Sequence, residues 1–324
     1  MLEVWTLGAP GRDPKLLGRG TIGSNGLHGL VDEIAPKLHG LSPPVIALKR
    51  SRTSDPLLVL KSLRENGKEA DNTARLQEIL EKHHVEFWGT QLLFVQGSVA
   101  CMRASRPAVL RCGIKVRTLR DILSPQVLKR VTRLELASVC AQVCAFLALM
   151  QSESSRWVHN DFKADNILLS DFEDGTQHEI KVLGKTLVAP FHIVVIDCET
   201  MSGEGFQPLQ LNDCSSSTLC SFGLDEKTPY NESTDLHLFL LEIVYHIDFK
   251  AKVKPEWLTD FVVFCSLACP MSFFTTHASG GKYVTDLNRL NAEGRRILEA
   301  LAADGKCKGP KDLLETEFLQ SVVS

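Results

Sequence analysis

The sequence predicts an α+β chain in two parts, a small β-rich region over residues 1–112 and a larger, mainly helical region over 113–324. Three observations predict it. Short apolar runs such as Gln91–Val95 and Ala108–Leu110 lie among glycines and the Pro43-Pro44 pair, the pattern of strands and turns. Beyond Gly113, apolar residues recur at three and four across Val131–Met150, which is helical spacing. Two strand-like runs, Ile167–Leu169 and Ile193–Ile196, interrupt the helical part before helix resumes from Thr234 to the end.

Taken in order, Leu16 to Arg111 reads as short strands around a helical region, Ser54–His84, broken near Asn66-Gly67. Its second piece, Lys68–His84, is the helix expected to face the strands. Leu119–Leu123 reads as a short helix and Val131–Met150 as a long one. The polar, acidic stretch from Ser170 to Lys185 reads as an exposed hairpin or loop between the two later strands. Leu136–Met150 and Phe261–Phe274 are shorter than the roughly 20 residues that a bilayer span needs, and the second contains Pro270, so both read as buried helix.

Composition excludes several function classes. With 324 residues and 44% hydrophobic content the chain can fill a large core without staples. A net charge of −3 and a pI near 6.4 lack the basic excess that nucleic acid or an anionic membrane would select, so neither partner is expected. The ten cysteines form no C-x-x-C pair, and Cys140/Cys144 and Cys265/Cys269 have helical spacing, which suits a reducing intracellular compartment, cytoplasmic or nuclear. Met1 to Arg19 carries no basic-then-apolar signal region. No internal repeat or low-complexity tract is visible.

The strongest chemical signal is Trp157-Val158-His159-Asn160-Asp161-Phe162-Lys163-Ala164-Asp165-Asn166, running into the first strand-like run, with Val194-Val195-Ile196-Asp197 closing the second. Turn capping explains any one of these polar residues. It gives no reason for the D-x-K-x-x-N offsets together with a second acid after an apolar strand. Phosphoryl transfer does give one: it needs a base aimed at the attacking hydroxyl, oxygen ligands for Mg²⁺, and positive charge near the transferring group.

These residues resemble the catalytic loop H-R-D-x-K-x-x-N and the metal-binding D-F-G of the protein kinase superfamily, over most of the chain. The resemblance implies a bilobal protein-kinase-like fold, a β-rich N-lobe over 1–112 and a helical C-lobe over 113–324. It implies Asp161 as catalytic base, Lys163 as a contact to the transferring phosphate, and Asn166 and Asp197 as Mg²⁺ ligands. The expected cofactors are ATP and Mg²⁺, and the expected acceptor is a serine or threonine hydroxyl of a protein.

Leu17-Gly18-Arg19-Gly20-Thr21-Ile22-Gly23 has the G-x-G-x-x-G spacing that lets backbone N–H groups approach phosphates, placing Gly18, Gly20 and Gly23 over ATP. Pro44-Val45-Ile46-Ala47-Leu48-Lys49 resembles the kinase V-A-x-K strand and makes Lys49 the phosphate lysine, with Ile34-Ala35-Pro36-Lys37 a competing match that Pro36 disfavours. Its partner glutamate lies among Glu65, Glu69, Glu78 and Glu81, and counting back from the strand at Gln91 favours Glu78. Arg111, Cys112 and Gly113 fall where the family's hinge binds adenine. Asp235 in Thr234–Ile243 resembles the buried aspartate that holds the catalytic-loop backbone, and Lys311–Leu319 resembles the segment closing the domain.

The chain also departs from the family. Asn160 stands where many kinases carry an arginine that reads a phosphorylated activation loop, so switching of that type is not expected. The D-F-G position reads Asp197-Cys198-Glu199, and no A-P-E precedes Asp235; Thr228–Glu232 is a remnant at most. Ile196-Asp197-Cys198-Glu199 is also similar to aminoglycoside and related small-molecule kinases, whereas Lys163 favours Ser/Thr protein kinases. A nucleotide-binding pseudokinase is the third class, and the complete set Asp161, Lys163, Asn166 and Asp197 argues against it. The shortened docking segment resembles divergent kinases of large DNA viruses. Acceptor and oligomeric state are not written in the sequence.

Overall fold

The computed structural model describes residues 2–6, 16–20, 31–34, 45–49, 69, 71–85, 88–89, 91–97, 108–111, 116–172, 176–206, 233–245, 256–268 and 307–324, with backbone alone for the strands before residue 112. Those strands are β1 (Leu2–Thr6), β2 (Leu16–Gly20), β3 (Val31–Ile34), β4 (Val45–Lys49), β5 (Gln91–Gly97) and β6 (Ala108–Arg111). They form one antiparallel sheet in the order β2-β1-β5-β6-β4-β3. Helix α1, residues 71–82, lies between β4 and β5 in sequence.

The rest is helical around two small antiparallel sheets, one of three strands and one of two. It contains β7 (Val116–Thr118), α2 (Leu119–Ile122), α3 (Pro125–Leu128), α4 (Arg133–Glu153), β8 (Ile167–Asp171), β9 (His178–Val182), β10 (Lys185–Ala189), β11 (Phe191–Val195), α5 (Thr234–Tyr245), α6 (Leu258–Ala268) and α7 (Pro310–Leu313). The architecture is therefore mixed helix and antiparallel sheet, an α+β class.

Helix α4 is the spine of the core. It starts with a capping box in which Glu135 N donates to Thr132 Oγ1 at 3.2 Å and Thr132 N donates to Glu135 Oε2 at 2.8 Å. Every residue from Leu136 to Met150 is buried. Its length and apolar composition would suffice to cross a bilayer, yet its sides are covered by protein all round, as a central core helix requires. Gln142 and Ser138 are the polar residues in this run, and Gln142 is tied to three neighbours. Its Oε1 accepts from Trp88 Nε1 at 3.2 Å and from Ile193 N at 3.0 Å, and its Nε2 donates to the Phe191 carbonyl at 2.9 Å.

Strand β8 pairs with both β7 and β11, in the order β11-β8-β7. The predicted insertion is a true hairpin, β9 and β10, but it lies further along the chain than Ser170–Lys185. Leu183 (φ 52°) and Gly184 (φ 74°) form its tip, and two successive positive φ values are what a two-residue turn needs to match strand twist.

The expectation of helix to the end is corrected. After α7 the chain runs through turns, and its last residues pair with β10 of the hairpin through an antiparallel bridge between Leu187 and Val323. Thr186 N donates to the Ser324 carbonyl at 2.8 Å, Ser324 N to the Thr186 carbonyl at 2.9 Å, and Val188 N to the Val322 carbonyl at 2.9 Å. Pairing covers an edge of β10 that would otherwise expose unsatisfied backbone groups.

His237 joins α5 to α6, its Nε2–H donating to the Ala268 carbonyl at 2.9 Å. Burial pushes this imidazole from 6.5 down to about 4, with the carbonyl opposing. A histidine kept neutral in the fold but protonated when unfolded contributes stability that is full above about 6.5 and lost as pH falls toward 4. His237→Gln keeps a donor and removes the titration. The variant's melting temperature is expected to fall less than that of the wild type between pH 6.5 and pH 4, as measured by thermal unfolding across that range.

Candidate active site

The site begins with the chain between α4 and β8. Phe162, in the middle of the motif, is fully buried and stacks on Phe146 of α4 at 6.0 Å, with Phe239 of α5 edge-on at 6.4 Å. An aromatic held from two helices fixes its neighbours Asp161 and Lys163 on the opposite side of the backbone. The loop itself hangs from Asp235 at the start of α5. Asp235 Oδ2 accepts from His159 N at 2.6 Å and Oδ1 from Asn160 N at 3.0 Å. Burial raises this carboxyl to about 6 against the two N–H groups, which favour the ionised form.

His159 closes the loop against β11. Its Nε2–H donates to the Ile196 carbonyl at 3.1 Å, and its Nδ1 accepts from Asp161 N at 3.3 Å. Both bonds together require the neutral ring, and burial lowers its pKa to about 4, opposed by the charge on Asp197. Ile196 N donates to the Asn166 carbonyl at 3.0 Å, so β11 delivers Asp197 beside the turn Ala164–Asn166.

Three expected residues converge. Lys163 Nζ donates to Asp161 Oδ2 at 2.6 Å, and Asn166 Nδ2 donates to the same oxygen at 2.9 Å and to the Asp161 carbonyl at 2.9 Å. Neither Asp161 Oδ1 nor Asn166 Oδ1 accepts a hydrogen bond among the described residues. Burial raises Asp161 to about 7 although Lys163 pulls the other way, and the negative charge of Asp197 adds to the rise. A carboxylate near 7, with one oxygen fixed and the other open, has the form of a general base.

Asp197 sits at φ 64°, ψ 55°, the left-handed region, which costs a non-glycine residue roughly 1–2 kcal/mol. Surrounding bonds hold it there. The following turn, Cys198–Thr200, donates Thr200 Oγ1 to the His159 carbonyl at 2.8 Å, and the chain then bridges to Val158, with Val158 N to the Ser202 carbonyl at 3.0 Å and Ser202 N to the Val158 carbonyl at 2.9 Å. Next comes Gly203 at φ 137°, where an added Cβ would lie 2.8 Å from Trp157 Cα.

Asn160 also serves this turn, donating Nδ2 to the Thr200 carbonyl at 2.8 Å and to Ser202 Oγ at 3.2 Å. A neutral amide thus does locally what an arginine at this position would need a phosphate for. Arg120 of α2 meets Asp165 at 2.7 Å, and Glu242 Oε2 accepts from Ala164 N at 3.2 Å, which braces the Ala164–Asn166 turn from outside.

The other expected residues divide. Gly18 and Gly20 lie in β2, opposite Val4 and Leu2 of β1, and Gly23 is outside the described residues. Lys49 ends β4, between β3 and β6, opposite Val31. Arg111 ends β6, with Cys112 and Gly113 outside the described residues, as are Lys37 and Glu65.

The Glu78 assignment is corrected. Its side chain is 59% exposed and bonds Arg75 at 3.1 Å, on the outer face of α1. The inner face carries Asn72, Thr73, Leu76, Ile79 and Leu80, all buried, and Glu69 one turn earlier on the same stripe is half-buried. Asn72, which the sequence reading missed, donates Nδ2 to the Cys198 carbonyl at 2.9 Å and to the Met201 carbonyl at 3.2 Å. The apolar phase of Leu76, Ile79 and Leu80 was the available signal, since it assigns Asn72 to the inner face and Glu78 to the outer.

Asp235→Ala would leave the N–H groups of His159 and Asn160 unpaired inside the protein, at roughly 1–3 kcal/mol for each group. The expected outcome is a loss of about 2–6 kcal/mol in urea unfolding. Asp235→Asn, which keeps one acceptor, is expected to lose less.

No protein-family model matches the chain, and no curated protein matches it. Among solved structures it is similar to "WaaP in complex with acyl carrier protein", at 13% sequence identity and a TM-score of 0.39, covering 81% of this chain and 88% of that one. At that similarity nothing about activity, acceptor or partner passes from that protein to this chain.

Proposed function

We propose that the chain is an ATP- and Mg²⁺-dependent phosphotransferase that uses Asp161 as its base. The carrying observation is the buried Asp161 carboxylate, its Oδ2 held by Lys163 and Asn166 and its pKa raised to about 7. Asp161 Oδ1 would take the proton of an acceptor hydroxyl as that oxygen bonds to the γ-phosphorus of ATP and the bond from that phosphorus to the bridging oxygen breaks, ADP leaving with the electron pair. Lys163, partly exposed beside it, can share its charge with the transferring phosphate. Asn166 Oδ1 and the Asp197 carboxylate are hard oxygen donors, a set that suits Mg²⁺, and these two residues would hold it. When bound, the metal would neutralise developing phosphate charge. Gly18, Gly20, Gly23 and Lys49 are proposed to hold the ATP phosphates, and the backbone at Arg111–Gly113 the adenine.

The acceptor class is part of the proposal. Lys163 two residues after the base, in direct contact with it at 2.6 Å, supports a protein serine or threonine hydroxyl. The Ile196-Asp197-Cys198-Glu199 ending supports a second reading, a small-molecule hydroxyl. An intracellular setting belongs to the same proposal and rests on the cysteine spacing.

The test is transfer of labelled γ-phosphate from ATP with Mg²⁺ to a mixed protein panel and to a panel of sugars and aminoglycosides. Asp161→Asn is expected to lower transfer by roughly 10²–10⁴-fold while nucleotide binding stays close to wild type. Asp197→Ala is expected to abolish Mg²⁺-dependent turnover. Equal activity in either variant overturns the assignment, and nucleotide binding without transfer to any acceptor points to a binding module.

A further inference from the structure

Three carbonyls of the segment after Asp197 are capped by asparagine amides. Asn160 of the catalytic loop takes Thr200, and Asn72 of α1 takes both Cys198 and Met201, across 126 and 129 residues of sequence. Asn72 is 1% exposed, and its amide reaches a turn whose first neighbour is Asp197 in a left-handed conformation. Withdrawing α1 would take the Asn72 donor from the Met201 carbonyl and leave the Cys198 carbonyl with Met201 N alone at 3.2 Å, so moving the helix costs the turn two of its bonds.

We infer that Asn72 is a positioning residue through which α1 sets the metal-ligating conformation of Asp197. The inference rests on the phosphotransferase reading and deepens it. Asn72 touches neither nucleotide nor metal in this scheme. It acts by holding the backbone at Cys198 and Met201, which in turn keeps Asp197 at φ 64°. α1 therefore communicates with the metal ligand through a neutral amide on its inner face, whereas Glu78 faces outward.

The experiment compares wild type with Asn72→Ala and Asn72→Asp, the second replacing a donor with an acceptor that repels both carbonyls. Mn²⁺ binding to protein saturated with a non-hydrolysable ATP analogue is followed by electron paramagnetic resonance. Binding of the analogue in EDTA and thermal unfolding are measured alongside. Asn72→Ala is expected to bind the analogue in EDTA within about twofold of wild type but Mn²⁺ at least about tenfold more weakly, with Asn72→Asp weaker still. A merely structural residue would change unfolding and leave the metal step alone.

Wild-type protein supplies a readout that does not depend on the variants folding. Adding Mg²⁺ to the nucleotide-saturated chain is expected to slow amide exchange in residues 71–82, although α1 carries no metal ligand in this scheme. Unchanged Mn²⁺ affinity in folded Asn72→Ala, or unchanged α1 exchange on adding Mg²⁺, overturns this inference alone. Failure of the wild type to bind Mn²⁺ with nucleotide overturns the phosphotransferase reading and this inference with it.

Discussion

Everything in the site depends on one buried carboxylate. Asp235 has no solvent to stabilise its charge, and two backbone N–H groups of the loop before β8, those of His159 and Asn160, take water's place. The exchange fixes two consecutive residues to the first turn of α5. From there the order propagates by short bonds, His159 to the Ile196 carbonyl, Asn160 to Thr200, and the Asn166 carbonyl to Ile196 N. Two strands and a helix that are distant in sequence are thereby brought to one loop. The aromatic ring of Phe162 supplies the complementary constraint, because its packing on Phe146 and Phe239 decides which side of the loop faces the core.

The electrostatics follow from that burial. Asp161 is raised by desolvation and would be neutral at neutral pH in a purely apolar setting. Lys163 and the Asn166 amide bring it back to about 7. The same low-dielectric surroundings push His159 down, so this imidazole, two residues before Asp161, is neutral and holds the loop together through its two hydrogen bonds. Two titratable groups in one loop are thus shifted in opposite directions by the same burial, each toward its neutral form.

The site was legible in the sequence where spacing is local. The Asp161, Lys163 and Asn166 offsets are set by a single turn, and the apolar run before Asp197 named its strand, so those residues could be grouped without tertiary information. The position of α1 was legible too, but its rotation was misread because a count from β5 fixes length and not phase. Leu76, Ile79 and Leu80 carried the phase. The C-terminal bridge to β10 has no such signal. Val322–Ser324 is too short to show alternation, and its pairing with β10 is decided by a hairpin edge far away in sequence. The hairpin itself was placed too early, since its polar first half hid a strand whose buried residues are only Ile180 and Val182.

The departures from the kinase pattern become coherent once the turn after Asp197 is considered as a unit. An arginine at position 160 would bring a charge needing a counter-ion, and the aromatic–glycine pair after the aspartate would bring a side chain and a backbone free to swing. Here Asn160 and Asn72 cap three carbonyls with neutral N–H donors, Thr200 returns a hydroxyl to the His159 carbonyl, and Cys198 is buried. Neutral donors do not depend on a phosphate or on solution pH for their strength, and each is inside the protein, where an unmade bond is most costly. The strained backbone of Asp197 is then a consequence of the bonds on both sides of it, and it persists because releasing it would break them.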